Sequence, residues 1–354
     1  MLDKNKVVVA MSGGVDSTVA AYLLKEKGMQ VIGLHMKVSD DIDEQVEKEF
    51  IEVCEKMDIP HHIVDLREKF KKNVIDYFIR EYQNGNTPNP CIVCNKKIKF
   101  GFMLEEAEKL GAYYLATGHY AKIKKDEDKE YYIEKAKARD KDQTYMFYNF
   151  NQEILKHVLM PLGELDSKEI VRAIAKEIDM DLHRKKDSQE ICFIPDDDYV
   201  AFLMKNGIKN RKGKFVDKED NILGEHRGII NYTIGQRKGL GVSFGKPMYV
   251  VDIQSKSKKV VLGDNDDLMK NVLIAKNYNF VSEKYKDHQS IDVKAKIRYS
   301  SKEEDCTVEF LSDYKLMVTF KNRQRAITPG QSIVFYCDDR MIGGGVIEKQ
   351  YTNK

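Results

Sequence analysis

No stretch of the sequence approaches the roughly 18 consecutive apolar residues that cross a membrane. The opening MLDKNKVVVAMSGG has neither a signal-peptide cleavage pattern nor an Arg/Ser-rich transit composition. A membrane partner and secretion are therefore not expected, and the cytoplasm is the expected compartment. Charge of one sign is also missing: 59 Lys+Arg oppose 57 Asp+Glu, a net +2. That balance carries no global signature of a nucleic-acid partner, which must be sought in local patches. Six cysteines in 354 residues are too sparse for a disulfide scaffold. Neither a fixed-period repeat nor a low-complexity linker is visible. A hydrophobic fraction of 42% and a charged fraction of 33% fill ordinary cores under a soluble surface, which argues against intrinsic disorder. At about 150 residues per domain, two or three domains are expected.

Strand and helix patterns alternate through the first part of the chain. Lys6–Ala10, Gln30–Met36, His61–Leu66 and Tyr113–Thr117 read as strands. Helices are expected at Thr18–Lys27, along the stripe Ile42, Val46, Val53 and Met57, through Phe70, Val74, Tyr77 and Phe78, and at Phe102–Leu110. This βαβα order predicts a parallel sheet covered on both faces. Asp166 with Glu169 reads as a capping box before Ile170, Ile174 and Ile178. After about Asn210 glycines crowd in, from Gly213 to Gly245, and helical periodicity fades. Short strands are expected at Ile291–Tyr299, Thr307–Phe310, Leu316–Phe320, Ser332–Tyr336 and Gly345–Ile347, which suits a small barrel. The expected plan is an α/β domain over 1–205, a small Gly-rich domain over 206–268 and a β-barrel-like domain over 269–354.

Ser12-Gly13-Gly14-Val15-Asp16-Ser17 lies between a strand and a helix. Two glycines let the backbone turn its N–H groups onto a polyanion, and the helix N-terminus adds unpaired donors and a positive dipole end. Asp16 would repel a bare phosphate, so Mg²⁺ accompanying a nucleotide is expected near it. The segment is neither a Walker A loop nor a dinucleotide fingerprint. It resembles the pyrophosphate loop (PP-loop) of enzymes that split ATP into AMP and pyrophosphate.

The second dense segment is Asn89-Pro90-Cys91-Ile92-Val93-Cys94-Asn95-Lys96-Lys97-Ile98-Lys99-Phe100. With a helix starting after Cys94 and three lysines nearby, the Cys94 thiolate is expected to be favoured. A lone CxxC leaves a redox pair, half a metal site or an accident open, and no second pair completes a structural zinc site. Cys192, in Asp187-Ser188-Gln189-Glu190-Ile191-Cys192-Phe193, is the other cysteine in a polar setting. Cys54, Cys306 and Cys337 are expected to be buried and inert.

These segments, with Ala116-Thr117-Gly118-His119-Tyr120, Lys141-Asp142-Gln143, Tyr232-Thr233-Ile234-Gly235-Gln236-Arg237 and Pro329-Gly330-Gln331, occur in the order found in the tRNA-specific 2-thiouridylases. Each motif alone is weak. The ordered set is specific, and the resemblance spans nearly the whole chain. It implies ATP-dependent replacement of the C2 oxygen of a tRNA wobble uridine by sulfur, in a Rossmann-like PP-loop domain followed by two smaller domains. It further implies that Ala10, Met11, Ser12, Gly13, Gly14, Val15, Asp16 and Ser17 bind ATP, with Met36 and Gly118 bordering the adenosine. Cys192 matches the persulfide carrier, charged by a sulfur-delivery protein or cysteine desulfurase. Cys94 matches the partner thiol that ends in a disulfide with Cys192. Asn89, Pro90 and Cys91 match the segment that meets the target base. His119, Lys141, Asp142, Gln143, Arg298, Tyr299 and Gln331 match positions that touch the tRNA.

Basic clusters at Lys96/Lys97/Lys99, Lys135/Lys137/Arg139/Lys141, Arg184/Lys185/Lys186, Arg211/Lys212/Lys214 and Lys321/Arg323/Arg325 suit a phosphate backbone. Acidic runs are expected elsewhere, at Asp126–Asp128, Asp196–Asp198 and Glu303–Asp305. The sequence departs from many members in one place: it has Cys91 where they carry Asp. Cys91, Cys94 and Cys192 thereby form a set that offers three thiolates to a [4Fe–4S] cluster with one open iron. Persulfide and cluster routes both stand at this level. Another ATP-dependent PP-loop ligase or amidotransferase, and an RNA-binding module with a vestigial loop, are the alternatives from other classes. Release of AMP and pyrophosphate separates them.

Overall fold

The computed structural model describes residues 2–39, 43–178, 191–194, 198–242, 245–285, 288–312 and 314–351. The readings placed on Ile42, on Arg184, Lys185 and Lys186, on Asp187 through Glu190 and on Asp196 and Asp197 lie outside the described residues.

The first body runs β1 (Asp3–Ala10), α1 (Val15–Glu26), β2 (Gln30–Lys37), α2 (Asp43–Lys56) and β3 (His61–Asp65). Next come α3 (Arg67–Phe70), a π-helical turn (Lys71–Ile75), α4 (Asp76–Gln83), α5 (Pro90–Cys94), a second π-helical stretch (Asn95–Phe102) and α6 (Met103–Lys109). It continues through β4 (Ala112–Thr117), a hairpin of β5 (Ala121–Lys125) and β6 (Tyr131–Lys135), α7 (Gln152–Leu155), β7 (Val158–Leu159), α8 (Lys168–Glu177) and α9 (Tyr199–Lys205). Five strands form a parallel sheet in the order β3-β2-β1-β4-β7. Its central strand explains the apolar run at the N-terminus. Val8 faces one core with Leu34 and Leu115, while Val7 and Val9 face a second with Val19 and Phe50. A strand buried on both faces needs a continuous β-branched run, and Val7, Val8 and Val9 supply it.

The central body, scarcely resolved by periodicity, is a four-stranded sheet of β8 (Gly213–Val216), β9 (Ile222–His226), β10 (Tyr249–Gln254) and β11 (Lys259–Gly263) in the order β10-β11-β8-β9. The last body is a closed six-stranded barrel of β12 (Met269–Phe280), β13 (Ser290–Lys296), β14 (Glu304–Ser312), β15 (Lys315–Arg325), β16 (Ser332–Cys337) and β17 (Arg340–Tyr351). The long strand β12, which sequence patterning missed, pairs with both β15 and β17 and closes it. The β5–β6 hairpin joins this sheet through β6 and β17, so the barrel is extended by residues far upstream.

Two local readings are corrected. Helix α8 starts one residue later than a box on Asp166 requires: its N-cap is Ser167, whose side chain donates to Glu169. Asn89 is the N-cap of α5 with Pro90 in its first turn, a position where the missing N–H costs nothing. The helix therefore begins before Cys91, not after Cys94.

Candidate active site and nucleic-acid interface

The β1–α1 connection is tightened from within. The Ser12 N–H donates to Ser17 Oγ (3.3 Å), and the hydroxyls of Ser17 and Thr18 both donate to the Gly14 carbonyl (3.1 and 3.0 Å). Gly13 sits at φ +69°, the left-handed region open to glycine. On β2, His35 Nδ1 donates to the Met11 carbonyl at 3.0 Å, next to Met36. Gly118, at the end of β4, lies directly against the loop: a Cβ there would stand 2.6 Å from the Asp16 carbonyl carbon and the Ser17 nitrogen. These contacts bring together the residues expected to bind ATP.

Asp16 differs from expectation. Both its carboxylate oxygens accept from Lys168 Nζ at 2.7 Å, and Oδ1 also accepts from the Tyr120 hydroxyl at 2.8 Å. The carboxylate is thus paired with a buried ammonium and a buried phenol, while its side chain stays about one-third exposed. Lys168, 152 residues from Asp16 along the chain, carried no sequence signal.

The three cysteines lie on two segments, and Cys91 and Cys192 are both near enough to act on the Cys94 thiol. Cys91 and Cys192 are exposed and Cys94 is buried. Cys192 is placed by its neighbour Phe193, whose ring packs on Phe70, Phe78 and Phe202 at 5.5, 5.6 and 5.4 Å. Burial pushes the Cys94 thiol up to about 12; Lys99 pulls it down, and Cys192 and Cys91 push it further up. Cys91 is also raised, by desolvation in its surroundings and against Lys99. The expectation of a favoured Cys94 thiolate is therefore overturned. Desolvation outweighs the lysines, and Lys99 is the one of the three that acts on the thiol. Between pH 7 and 9, mass-resolved alkylation of Cys94 is expected to rise about ten-fold per pH unit without a plateau. A plateau below pH 9 would contradict the raised value.

No three Cys, His, Asp or Glu side chains form a metal-holding group among the described residues.

Some of the residues expected to meet tRNA, Gln331, Tyr299 and Asp142, lie at contacts between the α/β body and the barrel. Gln331 Nε2 donates to the Thr87 carbonyl (2.8 Å), and the Thr87 N–H donates to the Pro329 carbonyl (2.9 Å). From the central body Thr233 meets Thr87 at 3.2 Å between hydroxyls. The Pro329-Gly330-Gln331 and Tyr232–Arg237 motifs thus clamp the strand of chain that leads into Asn89, Pro90 and Cys91. On the other side, the Tyr299 hydroxyl donates to the Asp142 carbonyl (3.1 Å), beside Arg298. The Asp142 carboxylate is used inside the protein, accepting from the Ala136 N–H (3.0 Å) and the Thr144 hydroxyl (2.6 Å); burial nevertheless raises its pKa. His119 bonds Thr117 Oγ1 at 2.8 Å and lies between Phe100 and Phe147. Burial, then Lys99, holds its pKa well below 6.5 and so favours the neutral imidazole.

The basic clusters are less open than the sequence suggests. Lys135 pairs with Glu303 at 2.6 Å, Arg139 with Asp339 at 2.8 Å, and Lys214 with Glu225 at 2.7 Å. Glu303 belongs to an acidic run expected to lie elsewhere; the fold sets it on a basic cluster.

A parallel sheet with a glycine loop at its central β1–α1 turn, a thiol pair in the same domain and an appended barrel define a nucleotide-using group-transfer enzyme class. The family models agree: a tRNA methyl transferase HUP domain matches residues 5–196, a tRNA methyl transferase PRC-barrel domain 201–264, and an aminomethyltransferase beta-barrel domain 270–347. The tRNA-specific 2-thiouridylase MnmA 2 of Clostridium botulinum (strain Okra / Type B1) is 51% identical over 360 residues, covering 98% of this chain and 100% of the relative. The tRNA-specific 2-thiouridylase MnmA of Clostridium kluyveri is 51% identical (97% and 99% covered), and that of Clostridioides difficile 50% (99% and 99%). The chain belongs to the tRNA-specific 2-thiouridylase family.

Proposed function

We propose that this protein uses ATP to convert the wobble uridine of tRNA to 2-thiouridine in the cytoplasm, through a Cys192 persulfide. The observation that carries the reading is that two thiols, one exposed and one buried, lie within electrostatic reach of each other in a domain that also holds a PP-loop. The uracil C2 oxygen attacks the α-phosphorus of ATP, the α–β anhydride bond breaks, and pyrophosphate leaves. This turns a poor leaving group into AMP. The terminal sulfur of the Cys192 persulfide then attacks C2, and AMP departs with the original oxygen. The Cys94 thiolate attacks Cys192 Sγ; the bond to the transferred sulfur breaks, its electron pair stays on that sulfur as the thiocarbonyl forms, and a Cys94–Cys192 disulfide remains. A thiol reductant resets the pair, and a persulfide-bearing delivery protein or cysteine desulfurase recharges Cys192.

With its pKa raised by burial, the Cys94 thiol must lose its proton when it attacks. A protonated Cys94 does not discharge a persulfide before substrate is in place. The loop Ala10–Ser17 with Met36 and Gly118 holds ATP. Asn89, Pro90 and Cys91 meet the base, and His119, Lys141, Asp142, Gln143, Arg298, Tyr299 and Gln331 meet the tRNA. Mg²⁺ enters as part of the nucleotide substrate. Domain 1–205 does the chemistry, while 206–268 and 269–354 hold the RNA and clamp the approach to Cys91. In the test, purified protein is incubated with ATP, a persulfide donor and tRNA bearing uridine or cytidine at the wobble position. AMP, pyrophosphate and 2-thiouridine are expected in equal amounts with uridine only. AMP and pyrophosphate released without tRNA, and no thionucleoside, would favour a small-molecule ligase instead.

A further inference from the structure

Asp16 is linked to the tRNA-facing segment by a continuous line of short hydrogen bonds. Tyr120 is almost fully buried, at 3% exposure, and its hydroxyl reaches Asp16 Oδ1 at 2.8 Å. Its backbone is bound on both sides by one residue. The Tyr120 N–H donates to Gln143 Oε1 at 2.9 Å, and the Gln143 N–H donates to the Tyr120 carbonyl at 2.9 Å. Lys168, 6% exposed, binds the same carboxylate and lies over the Tyr120 ring at 5.8 Å. Gln143 itself is only partly buried. Its amide nitrogen has no acceptor among the described residues.

We propose that Tyr120 is a positioning residue that couples RNA docking at Gln143 to the PP-loop through Asp16 and Lys168. This rests on the thiolation reading above. A phosphate or 2′-hydroxyl oxygen accepting from Gln143 Nε2 immobilises the amide whose oxygen holds the Tyr120 backbone. The phenol then fixes the Asp16 carboxylate, and with it the Lys168 ammonium, at the start of α1 where the nucleotide phosphates lie. Without that engagement the Gln143 side chain is held at one end only, and the carboxylate is positioned less firmly. Adenylation thereby responds to substrate RNA although neither Gln143 nor Tyr120 touches the reacting atoms.

The substitution Tyr120→Phe tests this, because it removes the hydroxyl alone and keeps the ring beneath Lys168. Pyrophosphate release is measured at saturating ATP with and without wobble-uridine tRNA, alongside ATP and tRNA dissociation constants and the melting temperature. The stimulation by tRNA is expected to fall roughly ten-fold or more, the range for a lost hydrogen bond to a charged group. Both dissociation constants are expected to stay within about three-fold, so the loss sits in kcat rather than KM. Tyr120→Phe combined with Gln143→Ala is expected to be no worse in kcat than the more damaging single change, since both cut one line. Full tRNA stimulation in Tyr120→Phe, or losses that multiply in the double variant, would overturn the coupling while leaving the thiolation reading intact. A wild-type protein that releases pyrophosphate equally with and without tRNA would overturn both.

Discussion

Cys192→Ser is expected to lower 2-thiouridine formation by roughly a thousand-fold or more, the scale seen when a nucleophile is removed from an assembled site. Pyrophosphate release with tRNA should persist. The two halves of the reaction lie on different elements: the adenylating loop is the β1–α1 turn, whereas Cys192 is carried on the segment that Phe193 anchors to the aromatic cluster of Phe70, Phe78 and Phe202. Replacing one exposed sulfur by oxygen disturbs neither packing nor the loop. The complementary change is more diagnostic. In Cys94→Ser the attack on C2 still occurs, but no thiol breaks the resulting sulfur–sulfur bond. A tRNA–Cys192 adduct is then expected, stable to denaturant and released by a dithiol. Full thiolation by Cys192→Ser would end the persulfide route. Stoichiometric iron and acid-labile sulfide after anaerobic purification, lost in Cys91→Ser, would favour the cluster instead.

What sequence alone made legible was what is contiguous. The strand–glycine–glycine–helix passage at Val7–Ser17 reads directly because buried strand, tight turn and helix start follow one another within a few residues. The CxxC segment, with Asn89 and Pro90 before it, reads as a helix start for the same reason, although the start was set one turn too late. What was not legible depends on contacts between distant residues. Lys168 meets Asp16 across 152 residues, and nothing in either local pattern announces the other. The β5–β6 hairpin joins the barrel more than 200 residues downstream, at Arg340. That contact also carries the acidic residues Glu303 and Asp339 onto Lys135 and Arg139, so a cluster that reads as a phosphate-binding patch is partly spent on holding two bodies together.

The Cys94 reading failed through magnitude. Nearby lysines do lower a thiol pKa, but the effect depends on which helical face each occupies. Lys97 is exposed and does not act on the thiol, Lys99 acts, and the burial of Cys94 outweighs it. Taking a charge from water into a packed interior shifts a pKa by as much as several units, more than one partly solvated lysine restores. The motifs around Thr233 and Gln331 were recognised without a reason for their position. The fold supplies it: both hold Thr87, and so fix the chain that enters α5 and carries Cys91.

Gly118→Ala is expected to damage the enzyme far more than one methyl group suggests. The added Cβ would stand 2.6 Å from the Asp16 carbonyl carbon and from the Ser17 nitrogen, and 2.8 Å from the Asp16 carbonyl oxygen. These are backbone atoms at the first turn of α1, so no flexible side chain can yield. Either β4 or the loop must move. Overpacking of this kind costs about 1–3 kcal/mol, which a protein of this size registers as a modest fall in melting temperature. The larger effect falls on function. A displaced loop misplaces the N–H groups that face the phosphates, and displacements near 1 Å cost about 100-fold in rate. ATP affinity is expected to drop at least roughly ten-fold, with tRNA binding retained, measured by equilibrium binding of each ligand. Gly28→Ala is the control. Gly28 has φ +79° and open space around its would-be Cβ, so its substitution strains the turn between α1 and β2 by about 1 kcal/mol but pushes nothing into the loop. Gly28→Ala should therefore lower the melting temperature while ATP binding survives. If Gly118→Ala bound ATP as tightly as the wild type, the close packing of β4 on the phosphate loop would not be what sets the nucleotide site.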